Sequence, residues 1–494
     1  MPRALASRLY GQWCMFKSDA ARKRDGGFMI VIAHSFFLRR DPKQLARCKP
    51  YPPLATLLGA ALLRREGHDV ALFDATFEES VPAFEVMLDR LRPEAVVLLE
   101  DNFNFLTKMC TESRRNDALE MVRIAAARGC YVAVNGPDAS DSPRLYLDAG
   151  ADAVLAGEGE FALADFVHAC GLGSEALRET AGLILPDVLG GLRRTAPRGQ
   201  QRDLDNVPLP AWDLVDHEAY RRAWTDAHGY FSWQMAASRG CPYGCNWCAK
   251  PTFGRGYTQR SPGNVAEEMQ RLKDEVAPDH IWFSDDIFGM TAEWISDFAR
   301  EVVQRDARIP FMIQSRVNLI DANVAEALAA AGAQEVWLGV ESGSQRVLDA
   351  MDKGSRVDSA RVATRHLKRA GIKACWFLQL GYPPEDWADI VMTRDLVLTE
   401  SPDDIGVSVA YPLPGTVFYD RVAAQLGKRR NWRDTDELAM LFQGAYDTAF
   451  YRMVRDALHA DVVAGSCDEA LWDQLARLSL EHRSQSPVRL AIVS

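Results

Sequence analysis

Three cysteines lie within eight positions of the 494-residue chain, in the stretch CPYGCNWC. Cys241, Cys245 and Cys248 supply thiolates, which favour zinc or an iron–sulfur cluster. A structural zinc ion takes four ligands, and neither nearby histidine, His228 or His280, stands at a typical finger spacing. A four-iron cluster held by three cysteines leaves one iron open to a substrate. The spacing therefore indicates a metal centre, and an iron–sulfur cluster explains why there are three ligands.

The cysteines follow directly on an apolar segment that begins a run of strand patterns separated by helical patterns. Six units of this kind are too few for a complete eight-fold barrel, so we expect a partial barrel. The cysteine loop then lies at the carboxyl end of the first strand, where barrel enzymes place their chemistry. The six strand candidates are WQMAAS (233–238), IWF (281–283), FMIQ (311–314), EVWLGV (335–340), KACWFLQL (373–380) and DIGVSV (404–409).

The region before the cysteines also alternates strand and helix patterns. Its apolar runs and their spacing predict a doubly wound parallel sheet in an α/β fold. Ligands of such sheets bind at the carboxyl ends of the strands. The predicted strands are 28–33, 70–73, 95–99, 131–134 and 153–156, and the loops at their carboxyl ends are 34–47, 74–76, 100–105, 135–140 and 157–160.

These patterns divide the chain into five parts. We predict an N-terminal tail (1–27), a Rossmann-like domain (28–175), a linker (176–228), a partial barrel (229–420) and a helical C-terminal region (421–494). The helical region is predicted to cap the barrel.

Composition narrows the class of protein. The chain is 48% hydrophobic and 25% charged, as globular enzymes are, and its net charge of −11 argues against a nucleic-acid partner. No apolar stretch reaches the roughly 18 residues that span a membrane. The N-terminus lacks the apolar segment of a secretory signal, and the seven other cysteines are scattered, as in a reducing cytosol. We therefore expect a cytoplasmic protein with no membrane partner.

The motif CPYGCNWC, placed after the first of six β/α units, resembles the signature of the radical S-adenosylmethionine (radical SAM) superfamily. The resemblance implies a [4Fe-4S] cluster on Cys241, Cys245 and Cys248, whose open iron chelates SAM. Reduction of SAM then yields methionine and a 5′-deoxyadenosyl radical. It also implies an electron donor such as flavodoxin or ferredoxin. Structural zinc remains the alternative for this motif.

The same resemblance implies where SAM binds, although the chain lacks the commoner Gly-Gly-Glu segment after the second strand. The alternative role of Trp247 is to pack within the loop, and the alternative role of Arg316 is to form a surface salt bridge. The implied SAM-binding residues are Trp247 beside adenine, Asp285 and Asp286 toward the amino group, Ser315 and Arg316 toward the carboxylate, Glu341 toward the ribose and Gly381 flanking adenine.

A doubly wound domain that ends in GEGE (157–160) and is followed by VPLPAWD and the radical SAM core is similar to the cobalamin-binding group of that superfamily. The group includes methylases and the anaerobic cyclase of bacteriochlorophyll synthesis. The Asp-x-His-x-x-Gly motif, which supplies a histidine to cobalt, is absent. The alternative is that the loops carrying the candidate residues are ordinary strand-end loops that bind no cobalamin. The candidate cobalamin-binding residues are Tyr51, Asn102, Asn104, Asn135, Gly157 and Glu158.

We therefore predict a radical SAM enzyme acting on a small-molecule substrate, with cobalamin-dependent methyl transfer and a second SAM that remethylates the cobalt. One alternative is a cobalamin-independent dehydratase, cyclase or mutase whose Rossmann-like domain is a scaffold. Another is a metal-stabilised binding module without turnover. The residues identify neither the substrate nor a catalytic acid or base.

Overall fold

The computed structural model describes residues 28–103, 111–187, 190–248, 253, 256–427, 433 and 438–484. These residues divide into two compact units with a boundary between Gln234 and Met235. The first unit also includes residues 253, 256–258 and 433. Among the described residues, no helix combines the length and apolar composition that crossing a membrane requires.

The first unit is built on a seven-stranded sheet with the order β2-β1-β3-β4-β5-β6-β7. The first five strands are parallel, and β6 and β7 are antiparallel. The five strands predicted from the sequence are these five parallel strands. Their bounds are Met29–Ala33 (β1), Asp69–Phe73 (β2), Ala95–Leu99 (β3), Tyr131–Asn135 (β4), Ala153–Leu155 (β5), Leu183–Pro186 (β6) and Leu192–Arg194 (β7).

Both faces of this sheet are covered, which explains why its strands are continuously apolar. Successive side chains point to opposite faces. Val31, Val96 and Val132 belong to one buried cluster, whereas Ile32 and Val97 belong to the other. The described helices of this unit are Pro42–Arg47 (α1), Leu54–Arg65 (α2), Pro82–Leu91 (α3), Glu112–Ala127 (α4), Pro137–Asp141 (α5), Pro143–Ala149 (α6), Gly159–Leu172 (α7), Ser174–Glu179 (α8) and His217–His228 (α9).

The strand order reverses between β1 and β3, since β2 follows β1 on one side and β3 lies on the other. The carboxyl ends of strands at such a switch point form the crevice where ligands of open α/β sheets bind. The stretch 176–228, predicted as a linker, contains β6, β7 and α9.

The second sheet has six strands in the order β15-β14-β13-β12-β11-β8, as expected for a partial barrel in which each new strand joins the edge. The pairs from β11 to β15 are parallel, and β9 and β10 form a separate two-stranded sheet. The strands are Ser232–Met235 (β8), Ser238–Arg239 (β9), Thr258–Gln259 (β10), His280–Phe283 (β11), Phe311–Ser315 (β12), Ala333–Glu341 (β13), Lys373–Leu380 (β14) and Asp404–Val409 (β15).

Helices follow these strands, and the described part of the predicted C-terminal region is helical as well. Four short 3₁₀ turns complete the elements: Leu38–Arg40, Trp212–Leu214, Val317–Leu319 and Ala423–Gln425. The described helices of the second unit are Pro262–Glu275 (α10), Ala292–Gln304 (α11), Ala322–Ala331 (α12), Gln345–Ala350 (α13), Val357–Arg369 (α14), Trp387–Glu400 (α15), Val417–Val422 (α16), Thr448–Ala464 (α17) and Glu469–Glu481 (α18).

Candidate metal and cofactor site

The cysteine loop follows β9 in the second unit and presents three half-buried thiols, none of which forms a disulfide. Among the described residues, no three cysteine, histidine or acidic side chains are grouped as ligands of a metal ion. A cubic cluster takes one thiolate at each of three separate corners, so its ligands stand farther apart than those of a single ion. The assignment of Cys241, Cys245 and Cys248 to a cluster stays a prediction from the motif.

Asn246 anchors the cysteine loop, and sequence reasoning missed it although it lies inside the motif. Its backbone N–H donates to the carbonyl of Met351 (3.0 Å). Its side-chain amide donates to the carbonyl of Ala350 (2.9 Å) and to the carboxylate of Asp352 (2.7 Å). Its amide oxygen accepts a hydrogen bond from the hydroxyl of Tyr382 (2.6 Å). One side chain thus ties the loop to the end of α13 and to the loop after β14.

Arg316, which follows β12, lies against the same loop and is only 6% exposed. Its guanidinium donates to Sγ of Cys245 (3.3 Å) and to the carbonyl of Lys353, and it lies 3.8 Å from the ring centre of Tyr243. A buried arginine in this position is not a surface salt bridge. The contact places a positive charge beside Cys245 in the cysteine loop.

Glu341 ends β13 with its backbone in the left-handed region, at φ 67°. Such a conformation is costly for a residue with a side chain and is found where the surroundings impose it. Oε1 of Glu341 accepts a hydrogen bond from Nζ of Lys353 at 2.7 Å, in a buried ion pair. A Cβ at Gly339 would lie 2.7 Å from that Nζ, so the pair needs glycine there. Ser315, the last residue of β12, is also buried.

Asp285 and Asp286 follow β11, and the structure gives them different surroundings. Asp285 is 1% exposed and accepts hydrogen bonds from the backbone N–H of Ala237 (3.1 Å) and the hydroxyl of Ser238. Burial raises the pKa of Asp285 to about 7. Asp286 is half-buried. Asp285 therefore fixes the segment that leads into the cysteine loop.

Replacing Asp285 by asparagine should flatten the pH dependence of stability. The raised pKa means that the folded protein holds this proton more tightly than the unfolded chain does, so wild type should lose stability as pH rises from about 4 to about 7. The slope is about 1 kcal/mol per pH unit for one such group. Thermal midpoints of wild type and Asp285→Asn across this range measure the difference. Parallel pH profiles would contradict the assignment.

Trp247 is half-buried and packs against the cluster that contains Tyr382 and Phe418. Its indole N–H is buried and has no hydrogen-bond partner among the described residues. A buried donor without an acceptor costs free energy unless a ligand satisfies it. The residue thus packs in the loop and also keeps an unused donor.

Gly381 follows β14 in the left-handed region, at φ 78°. Its N–H donates to Oε1 of Glu385 (2.6 Å), a carboxyl whose pKa burial raises to about 8. A Cβ at this position would lie 2.4 Å from Sδ of Met440 and 3.2 Å from the ring of Tyr451. Packing of C-terminal residues over this loop therefore requires glycine here.

In the first unit, three of the predicted cobalamin-binding residues meet at the carboxyl ends of β3, β4 and β5. The amide of Asn102 donates to Oδ1 of Asn135 (2.7 Å). The amide of Asn135 in turn donates to the carbonyls of Leu155 (2.8 Å) and Gly157 (3.2 Å). Oδ1 of Asn102 is buried and has no hydrogen-bond partner among the described residues.

The other three predicted residues differ in their surroundings. Glu158 is buried and accepts a hydrogen bond from the N–H of Gln201 (2.7 Å). The hydroxyl of Tyr51 lies 3.2 Å from that of Ser232, within hydrogen-bonding distance. Asn104 lies outside the described residues.

Gln234, in β8, was missed by sequence reasoning, although it is a polar residue in an apolar strand. Its amide donates to the carboxylate of Asp101 (2.9 Å) and to the carbonyl of Pro52. Its Oε1 is buried without a hydrogen-bond partner in the described part of the chain. Burial raises the pKa of Asp101. Gln234 thus contacts Asp101, which follows β3, and Asn102 contacts Asn135, the last residue of β4. Each of the two amides has an acceptor without a partner among the described residues.

Known proteins resemble the chain in both sequence and fold. Residues 235–397 match the family model of the Radical SAM superfamily. An uncharacterised methyltransferase of Pyrococcus horikoshii is 28% identical over 389 residues, covering 77% of this chain and 81% of that protein. The hopanoid C-3 methylase of Methylococcus capsulatus is 27% identical over 390 residues, 76% of this chain and 70% of that protein.

A solved structure extends the similarity of fold to most of the chain. It is the radical SAM methyltransferase TsrM of Kitasatospora setae, solved with cobalamin and a [4Fe-4S] cluster bound. The TM-score is 0.64 at 19% identity, and the match covers 82% of this chain and 76% of that one.

Proposed function

We propose that the chain, whose residues 235–397 match the Radical SAM superfamily, is an enzyme of that superfamily and methylates a small molecule with the help of a [4Fe-4S] cluster, SAM and cobalamin. The observation that carries the proposal is the anchored cysteine loop, which has Arg316 on one thiol. Relatives named as methyltransferase and methylase support methyl transfer. A flavodoxin or ferredoxin is the proposed electron donor.

Cys241, Cys245 and Cys248 would hold the cluster, and the donor set fits it: three thiols outside any disulfide on one short loop. When bound, the reduced cluster supplies the electron that cleaves SAM to methionine and a 5′-deoxyadenosyl radical. Arg316 holds a positive charge beside Cys245 and would help to position that side chain.

The carboxyl ends of the second-unit strands would hold SAM. Lys353 fixes one carboxylate oxygen of Glu341, and the other makes no hydrogen bond among the described residues, so it can accept one from a ribose hydroxyl. The half-buried Asp286 is the proposed partner of the amino group. The unused indole N–H of Trp247 is the proposed donor beside adenine.

The carboxyl edge of the first-unit sheet would hold cobalamin. Two buried acceptors suit a ligand rich in amide N–H groups: Oδ1 of Asn102 at this edge, and Oε1 of Gln234, whose amide contacts Asp101 after β3. His34, which follows β1, is buried and bonded to Asp74 at 2.9 Å, so it is engaged within the protein. When bound, cobalamin supplies a cobalt that carries the methyl group.

Anaerobic reconstitution tests both parts of this proposal. With iron, sulfide, SAM and dithionite, the wild-type protein should release 5′-deoxyadenosine. After incubation with hydroxocobalamin and desalting, it should retain corrin absorbance, and Asn102→Leu with Gln234→Leu should retain less. Release of 5′-deoxyadenosine without retained corrin would overturn cobalamin dependence alone. A fully loaded cluster that does not cleave SAM would overturn the radical chemistry.

A further inference from the structure

The second-unit sheet has two unlike faces, and the one turned away from its helices is not filled by aliphatic side chains. Trp376 in β14 faces the helices, since its indole N–H donates to Thr364 of α14 at 3.0 Å. Residues on that face, including Val336 and Leu338 of β13, are fully buried. The opposite face of a barrel strand normally carries packed branched residues. On β13, β14 and β15 it carries Trp337, Cys375, Phe377, Gln379 and Gly406, and we call it the inner face.

Two aromatic rings stack on the inner face. Trp337 of β13 and Phe377 of β14 have ring centres 4.9 Å apart and planes inclined by 28°. Both rings remain partly exposed. Gly406 on β15 is the neighbour of Phe377 in the sheet, and a Cβ there would lie 3.2 Å from its ring and 3.4 Å from that of Trp337. Glycine at this position keeps the sheet from crowding the stacked pair.

Gln379 lies two residues beyond Phe377 on the same face, nearer to the carboxyl end of β14. It is 2% exposed, yet its amide forms no hydrogen bond among the described residues, and its Oε1 is buried without a partner. Leaving a buried amide oxygen unpaired costs about 1–3 kcal/mol. The amide rotates easily about its last side-chain bond, so either end can turn to a ligand.

We propose that Trp337, Phe377 and Gln379 form the subsite for a planar substrate, a heteroaromatic ring or lactam with adjacent N–H and C=O groups. This inference rests on the proposed function and adds the substrate class. A flat ring stacks on the exposed aromatic pair. The substrate N–H donates to Oε1 of Gln379, and its carbonyl accepts from Nε2. Gly381, the proposed neighbour of SAM, is only two residues further along the chain.

Equilibrium dialysis of the reconstituted holoenzyme tests the subsite with two probes. Quinolin-2(1H)-one is planar and carries the N–H and C=O pair, whereas its N-methyl derivative lacks the donor. Wild type should bind the parent compound about tenfold more tightly than the derivative, as expected for one hydrogen bond to a buried partner. Gln379→Met should lose about the same factor for the parent compound. Gln270→Met, the same change at an exposed position of α10, should not alter binding.

Equal binding of the two probes to wild type would overturn the inference, and so would no binding of either. This comparison needs no variant, so it stands even if Gln379→Met fails to fold. Unaltered binding of the parent compound to folded Gln379→Met would overturn it as well. SAM cleavage by wild type is measured separately: if cleavage persists without probe binding, only the subsite is refuted. Absence of cleavage refutes the proposed function.

Discussion

Cys245→Ser should reduce 5′-deoxyadenosine formation from SAM to below about 1% of wild type, since even second-shell changes at metal sites cost 10- to 100-fold. Cys245 is the thiol that Arg316 contacts, and its neighbour Asn246 anchors the loop. Serine keeps the size of the side chain but is a poor ligand for iron. Anaerobic reconstitution, iron and sulfide analysis and product chromatography measure the loss.

Cys467→Ser is the matched control. Cys467 is also half-buried and forms no disulfide, but it lies between α17 and α18 and outside the motif. The Cys467→Ser variant should retain the iron content and the SAM cleavage activity of wild type. If Cys245→Ser kept both, the cluster assignment would be wrong, and stoichiometric zinc without iron in the wild-type protein would sink it equally.

The strands could be predicted because they are apolar on both sides. Residues 95–99 are fully buried, and a short, continuously apolar run of this kind predicts a strand in a parallel sheet. The strand β7 could not be predicted in this way, because Leu192–Arg194 is exposed and joins the sheet only by pairing with β6. A strand defined by its partner and not by burial leaves no periodic pattern in the sequence.

The cysteine motif could be predicted because its ligands are close in sequence, whereas the residues that hold the motif are not. Asn246 and Asp352 are 106 positions apart. Nothing in the segment around Lys353 indicates that its side chain pairs with Glu341 while its carbonyl binds Arg316. Long-range pairing of single polar groups follows from the fold, and local spacing does not reveal it.

Around the cysteine loop, some buried polar groups are hydrogen-bonded within the protein and others are not. Asp285 accepts hydrogen bonds from its own chain, whereas the indole N–H of Trp247 has no acceptor among the residues that the structure describes. Buried polar groups in folded proteins are nearly always paired, so those left over mark places where a ligand can complete the network. This contrast, which the sequence cannot reveal, separates the residues that support the cysteine loop from those that we propose as partners of a cofactor.

Lys353→Met should lower the free energy of unfolding by about 3–5 kcal/mol, because it leaves the carboxylate of Glu341 buried without its partner. The two side chains are 6% and 7% exposed, so little water can replace the ammonium group. Chemical denaturation of the apoprotein, followed by circular dichroism, measures the loss. Lys373→Met is the control, because Lys373 and Glu335 form a pair in which the side chains are 63% and 30% exposed. Breaking such a pair should cost no more than about 1 kcal/mol.

The double variant Lys353→Met with Glu341→Gln separates loss of the pair from loss of packing. Removing both charges takes away the unpaired carboxylate, so most of the stability lost in Lys353→Met should return. The double variant should nevertheless bind SAM more weakly than wild type, because the neutral amide at position 341 accepts a hydrogen bond from the proposed ribose hydroxyl less strongly than a carboxylate does. If the double variant were as unstable as Lys353→Met, the cause would be lost packing around Lys353. The ion pair between Lys353 and Glu341 would then not account for the stability of this site.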